Sequence, residues 1–268
     1  MSSSFLLRYV GLSMLSFALV ACSSSPTGRN QLVLVPEDQL NQMGAQSFEQ
    51  IKSETPKSDN EILTQHVQCV ADRIISVLPD KYKQQAWEVI LFDDPQINAF
   101  ALPGNKIGVY TGLLEVAENQ SQLAAVVGHE VGHVLARHGN ERVSTQLATS
   151  QALALGYQLS GEDSAVKTAV FQGLGIGAQF GILLPFSRAH ETEADLIGLD
   201  LMAKAGFNPR ESAELWRNMS KTGSSSTPEW MSTHPSNNTR INTLESSMDE
   251  PYRIYSVLKS NNNTAKCY

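Results

Sequence analysis

His129-Glu130-Val131-Gly132-His133 spells H-E-x-x-H within a run that reads as a helix. Residues four apart on a helix share a face, so both imidazoles can reach one metal ion while Glu130 stands beside the attacking water. Zinc held by two histidines and a third protein ligand keeps a position open for solvent. The chemistry this implies is metal-assisted hydrolysis, with a peptide bond as the target. Histidines at this spacing also arise by chance on solvated helices. Here the flanks are apolar, and a buried Glu-His-His cluster without a metal would be costly to desolvate.

The element that carries the motif reads as a buried helix over 119–138, with Leu123, Val126, Val127, Val131, Val134 and Leu135 at three- and four-residue spacings. Asn119 caps its start with Gln122 three residues on, and Gly139 closes it after Arg137 and His138. Gly128 and Gly132 cost helix propensity, which predicts that another backbone or a substrate comes close. A second helix, Glu191 to Ala205, carries Ala194, Ile197, Gly198, Leu201 and Met202 inward and ends at Gly206 and Pro209. Glu191 and Asp195 share one face of it. Glu191 is the candidate third ligand, and Asp195 can accept a hydrogen bond from a ligating histidine's outer nitrogen. The alternative is an acidic first turn that complements the helix dipole. Glu193 fits that alternative, and no site role falls to it.

These motifs resemble the gluzincin metallopeptidase family of the CaaX prenyl protease, the HtpX-like proteases and the mitochondrial Oma-type proteases. The likeness extends to bacterial envelope lipoprotein proteases such as LoiP and BepA. Further matching segments are Asn98-Ala99-Phe100-Ala101-Leu102-Pro103-Gly104 and Ile107-Gly108-Val109-Tyr110-Thr111-Gly112-Leu113-Leu114. The likeness spans about residues 60–245. It implies that His129, His133 and Glu191 bind one Zn2+ per chain, that Glu130 is the catalytic carboxylate, and that a β-hairpin lies beside the cleft. In similar envelope proteases a histidine-proline loop lies near the zinc and can plug it, which singles out His234 as a regulatory or fourth ligand. Arg240 is a candidate oxyanion contact. The plainer reading of His234-Pro235 is a helix start with proline in its first turn. Of the six histidines in the chain, His66, His138 and His190 read as structural or surface residues.

The expected fold is α+β, a mainly helical zincin-type peptidase domain with a small sheet beside the H-E-x-x-H helix. Helices are expected over 37–53 (Leu40, Met43, Gly44 and Phe48 on one side) and 60–78 (Ile62, Val67, Val70, Ile74 and Leu78 inward). Strands follow at 87–92 and in a hairpin, 99–102 with 106–110, turning at Pro103-Gly104-Asn105. The edge of that hairpin could take a substrate as an added strand. The stretch 165–184, apolar but interrupted by Gly173, Gly175, Gly177 and Gly181, reads as a buried or groove-lining helix rather than a membrane span.

The N-terminus reads as a targeting segment. Arg8 precedes an apolar run, Tyr9 to Val20, too short for a comfortable span. Leu19-Val20-Ala21-Cys22 reads as a lipobox, which makes 1–21 a signal peptide and Cys22 the lipidated residue; an ordinary signal peptide with Cys22 incidental is the alternative. Ser23 favours the Gram-negative outer membrane, where multiple acyl chains anchor without a spanning helix. Residues 22–36 read as a tether, with Ser23 to Asn30 rich in Ser, Gly and Pro, and 37–268 as one peptidase domain. The two other cysteines, Cys69 and Cys267, either pair in an oxidising periplasm or stay free thiols, the bridge being favoured. A net charge of −7 and no basic patch argue against nucleic acid.

The resulting expectation is a zinc endopeptidase at the periplasmic face of the outer membrane, acting on unfolded or misassembled envelope proteins in quality control. Envelope assembly machinery or other proteases are its expected partners. A zinc-bearing chaperone or assembly factor with latent proteolysis, regulated by the His234 loop, is the second reading. A non-peptidase zinc hydrolase lacks any pocket signature here.

Overall fold

The structure is a computed structural model that describes residues 22–160, 186–221, 234 and 238–267. The signal segment, the glycine-rich stretch 165–184, the loop 222–228 and Pro235-Ser236 lie outside the described residues. In chain order the elements begin with β1 (Cys22–Ser24), β2 (Asn30–Leu32), α1 (Glu37–Glu54), α2 (Glu61–Ser76), α3 (Asp80–Lys83), β3 (Glu88–Phe92), β4 (Ala99–Leu102) and β5 (Lys106–Tyr110). They continue with α4 (Thr111–Leu114), α5 (Gln120–Leu135), α6 (His138–Ser160), α7 (Arg188–Lys204), α8 (Glu211–Lys221), α9 (Asn238–Ser246) and α10 (Asp249–Ser260). The expected class, mainly helical with small sheets, is the one found.

The described residues fall into two compact units, one built from residues up to 37 with those from 139 to 160, the other from residues 38–138 with those from 186 onward. In the first, the segment read as a tether is folded. β1 pairs antiparallel with β2, Cys22 opposite Leu32, around a turn closed by Ser25 N–H donating to Arg29 O at 2.8 Å. Gly28 takes the positive φ of 88° that this turn requires. Side chains of α6 then hold the segment. The Arg29 guanidinium donates to both Glu141 oxygens at 2.7 and 2.6 Å, Asn140 Nδ2 donates to Val35 O at 2.8 Å, and Ser144 Oγ accepts from Leu34 N at 2.8 Å. Composition suggested a flexible linker, but these polar side chains have fixed partners.

The second unit holds the H-E-x-x-H motif and the Glu191–Asp195 motif. β5 is the centre of a three-stranded sheet, parallel to β3 (Ile90 opposite Gly108) and antiparallel to β4 (Phe100 opposite Gly108), which leaves β4 at one edge. The expected hairpin turn is present, with Gly104 at φ 82° and Asn105 at φ 60°. Val67, Val70 and Ile74 of α2, Leu91, Ile107 and Val109 of the sheet, and Leu123, Val126 and Val127 of α5 share one apolar core. Each such side chain contributes roughly 1.5–3 kcal/mol by burial. The favoured disulfide is there: Cys69 on α2 is bonded to Cys267, tying the C-terminal segment to the core. Ala265 N–H donates to Gly206 O at 2.9 Å, and Cys267 N–H to Gln120 Oε1 at 2.7 Å. No helix among the described residues is long and apolar enough to cross a membrane.

The close approach that Gly128 and Gly132 predicted is between α5 and α7. A Cβ at Gly132 would lie 2.9 Å from Ala194 O, one at Gly128 3.0 Å from Gly198 O, and one at Gly198 2.7 Å from His129 N. Glycine at these crossing points lets the two motif-bearing helices meet backbone to backbone.

The motif helices differ from expectation at their ends: α7 starts at Arg188, capped by Ser187, rather than at Glu191. α5 ends at Leu135 rather than running to a Gly139 cap, because Arg137 takes the left-handed conformation at φ 56°. A new helix starts at His138, with Gly139 inside it. At the start of α5, Asn119 Oδ1 accepts from Ser121 and Gln122 N–H, while Gln122 Oε1 accepts from Glu118 N–H.

Candidate metal centre

α5 and α7 bring the motifs together. His129 and His133, four residues apart, present their Nε2 atoms 3.0 Å from each other. Glu191 comes from the first turn of α7, which Ser187 starts by accepting from His190 N–H at 3.2 Å. Its two oxygens lie 3.5 Å from His129 Nε2 and 3.5 Å from His133 Nε2. His234 joins them: ligand atoms from His129, His133, Glu191 and His234 all lie within 4.8 Å of one another, on four buried residues. Glu130, also buried, has its Oε1 3.5 Å from His234 Nε2.

Asp195 stands behind His129, its Oδ1 2.9 Å from Nδ1. Arg240, from α9, grips Asp195 with Nε and one terminal nitrogen at 2.6 Å each. The other terminal nitrogen lies 2.6 Å from Glu191 Oε2, and the guanidinium carbon sits 3.9 Å over the Trp216 ring on α8. The guanidinium expected at an oxyanion is thus spent on two carboxylates and an indole face. Burial pushes Asp195 up, but Arg240 and His129 outweigh it and hold the carboxyl below its ordinary range. Burial, with the Arg240 charge, pushes the His129 ring below its ordinary value against the pull of Asp195. A neutral imidazole is the ligating form.

His133 has different company. Its Nδ1 lies 2.8 Å from His138 Nδ1, and His138 Nε2 lies 3.1 Å from Glu193 Oε2. His190 stacks on His138 with ring centroids 4.3 Å apart, and Phe186 stacks on His133 at 3.7 Å. None of these had been given a site role from sequence. His138 and Glu193 are five and sixty residues from His133, and Glu193 looked like an ordinary dipole-complementing acid. The available signal was that Glu193 sits between Glu191 and Asp195, the two acids already placed on the site face.

These donors fit a divalent cation. The His129 and His133 rings each use Nδ1 on an outer partner and turn Nε2 inward. Among the described residues, the cluster sets four buried carboxylates (Glu130, Glu191, Glu193 and Asp195) against one buried guanidinium, Arg240. Buried charge left without a partner costs several kcal/mol per ion, and a dipositive ion would offset most of this excess. Two imidazoles and a carboxylate in a tight cluster suit zinc.

The chain is similar in sequence to known peptidases. Residues 61–248 match peptidase family M48. The chain is 38% identical over 173 residues to the mitochondrial metalloendopeptidase OMA1 of Arabidopsis thaliana, covering 63% of this chain and 34% of that one. It is 38% identical over 192 residues to OMA1 of Schizosaccharomyces pombe, covering 70% and 53%. It is 27% identical over 206 residues to the beta-barrel assembly-enhancing protease of Escherichia coli, covering 75% and 42%. The chain spans about half the length of these relatives, or less. It belongs to peptidase family M48.

Proposed function

We propose, from its membership of peptidase family M48, that this protein is a zinc endopeptidase of the bacterial envelope that cleaves unfolded or misassembled proteins. The observation that carries the reading is the convergence of His129 Nε2, His133 Nε2 and Glu191 at 3.0–3.5 Å on two helices held in backbone contact. His129, His133 and Glu191 would hold the ion, which supplies Lewis acidity that activates water and the scissile carbonyl. Glu130 takes the proton of the attacking water and delivers it to the leaving amine. Asp195, fixed by Arg240, keeps His129 oriented. β4, an edge strand packed on α5, offers backbone groups to an extended substrate, which suits clients that have lost their fold. Relatives named as metalloendopeptidases and as a beta-barrel assembly-enhancing protease support a quality-control role.

For location, the lipobox reading of Cys22 and Ser23 puts the enzyme on the periplasmic face of the outer membrane. Membrane fractionation with mass spectrometry of the mature N-terminus checks this; a Cys22→Ala chain that fractionates like wild type would contradict it. The activity test is cleavage of unfolded casein with and without a chelator. Wild type should cleave, chelator should stop it, and Glu130→Gln should keep zinc while losing cleavage. Wild-type rates from Glu130→Gln would refute the catalytic role.

A second reading has its own observation. His234 belongs to the buried donor set, and a fourth protein ligand would exclude water. The resting protein is then latent, and chaperone-like binding could precede cleavage. His234→Ala should raise casein cleavage; unchanged or lower activity counts against latency.

A further inference from the structure

His138 and Glu193 are buried, at 0% and 4% exposure, and the proposed mechanism gives them nothing to do. Their hydrogen bonds lead outward from His133 in a line: His133 Nδ1 to His138 Nδ1 at 2.8 Å, then His138 Nε2 to Glu193 Oε2 at 3.1 Å. With Glu193 ionised, its carboxylate only accepts hydrogen bonds, and a neutral His138 gives it the proton on Nε2. The His138 Nδ1 lone pair is then the acceptor, and His133 must donate from its own Nδ1. That leaves the His133 lone pair on Nε2, the atom that faces His129 Nε2 and Glu191. The proton order thus runs in one direction, from His133 outward to a carboxylate. Ring stacking fixes both planes, His190 on His138 at an interplanar angle of 23° and Phe186 on His133 at 20°.

We propose that His138 and Glu193 are positioning residues for His133, a two-residue relay that sets its tautomer and aims its Nε2 at the metal. This rests on the metal-site reading given above. It assigns His133 an outer support as complete as the one Asp195 gives His129, but built from an imidazole backed by an acid. Outer partners of ligating histidines are worth about 10- to 100-fold in metal affinity.

The test is zinc affinity of the full chain, measured by chelator competition, together with the absorption spectrum of the Co2+-loaded protein. His138→Phe keeps a ring but removes the acceptor, and should weaken zinc binding by about 10- to 100-fold and change the Co2+ spectrum. Glu193→Leu should do the same. Glu193→Gln, whose amide oxygen still accepts from His138 Nε2, should stay near wild type. A folded His138→Phe chain with wild-type affinity and spectrum overturns the relay. Should that variant fail to fold, equal affinities for Glu193→Leu and Glu193→Gln overturn it. Wild-type protein that binds no zinc overturns the metal reading and the relay together.

Discussion

The two motif histidines are held by unlike means. His129 leans on Asp195, which is clamped by Arg240 from α9 over the Trp216 ring of α8. His133 leans on His138, which immediately follows the left-handed break at Arg137, and through it on Glu193 of α7. One support is a charged network assembled from four helices; the other is a short relay with a single formal charge. The difference teaches that one site can use burial in two ways. The arginine network ties His129 to three other helices. The imidazole relay sets proton position with two side chains, one of them from α7.

The largest effect should come from breaking the first support. Asp195→Ala leaves Arg240 buried with one of its carboxylate partners gone, and removing one member of a buried ion pair costs about 3–5 kcal/mol. Urea denaturation should show that loss together with weakened zinc binding. Stability within about 1 kcal/mol of wild type would contradict the network's role. His138→Phe leaves no buried charge stripped of an ionic partner, so it should cost less stability than Asp195→Ala. Equal losses would erase the contrast between the two supports.

A disulfide that belongs to neither support sharpens the comparison. Cys69 and Cys267 are 198 residues apart in sequence, so opening the bridge should cost about 2–4 kcal/mol through the unfolded chain while leaving zinc affinity unchanged. A fall in affinity on reduction would mean the bridge also shapes the site. Next comes Gly132→Ala, which pushes a methyl to 2.9 Å from Ala194 O. Overpacking of this kind costs about 1–3 kcal/mol, and it should disturb both histidines alike because it separates α5 from α7. Crystallography or Co2+ spectroscopy would detect a change confined to one histidine, contrary to this.

The smallest effect belongs to an exposed counterpart of Asp195. Lys106, then Lys52, hold the half-exposed Glu88 carboxyl below its ordinary value of 4.5. A depressed folded-state value gives stability that is present above the unfolded value and lost as pH falls through the folded one. Solvent screening limits it to less than about 1 kcal/mol. The urea midpoints of wild type and Glu88→Gln should differ slightly at pH 7, less in high salt, and converge in acid. A gap that persists at low pH would assign the effect to something other than this ion pair.

What the sequence made legible was whatever local periodicity encodes. The shared faces of His129 with His133 and of Glu191 with Asp195 follow from helix geometry, and so did the tight contact at Gly128 and Gly132. The pairing of the hairpin strands followed from the turn at Pro103-Gly104-Asn105. Less legible was anything decided by a contact between distant segments. Arg240 looked available to an oxyanion because its partners, Asp195 and Glu191, lie on another helix. Glu193 looked like a dipole-complementing acid because its burial depends on α5 and His138. Gly139 looked like a cap because the left-handed turn fell instead on Arg137, a residue type that rarely adopts it. The Ser-rich segment after Cys22 looked like a tether because its anchors, Glu141, Asn140 and Ser144, lie more than a hundred positions along the chain.

Metal content tests the central claim most directly. Mass spectrometry of the purified full chain should find one zinc per molecule in wild type and in Glu130→Gln, and loss of that zinc in His133→Ala and Glu191→Ala. Wild-type protein without stoichiometric metal, or a folded Glu191→Ala chain that retains it in full, would contradict the convergence of these three side chains on one ion.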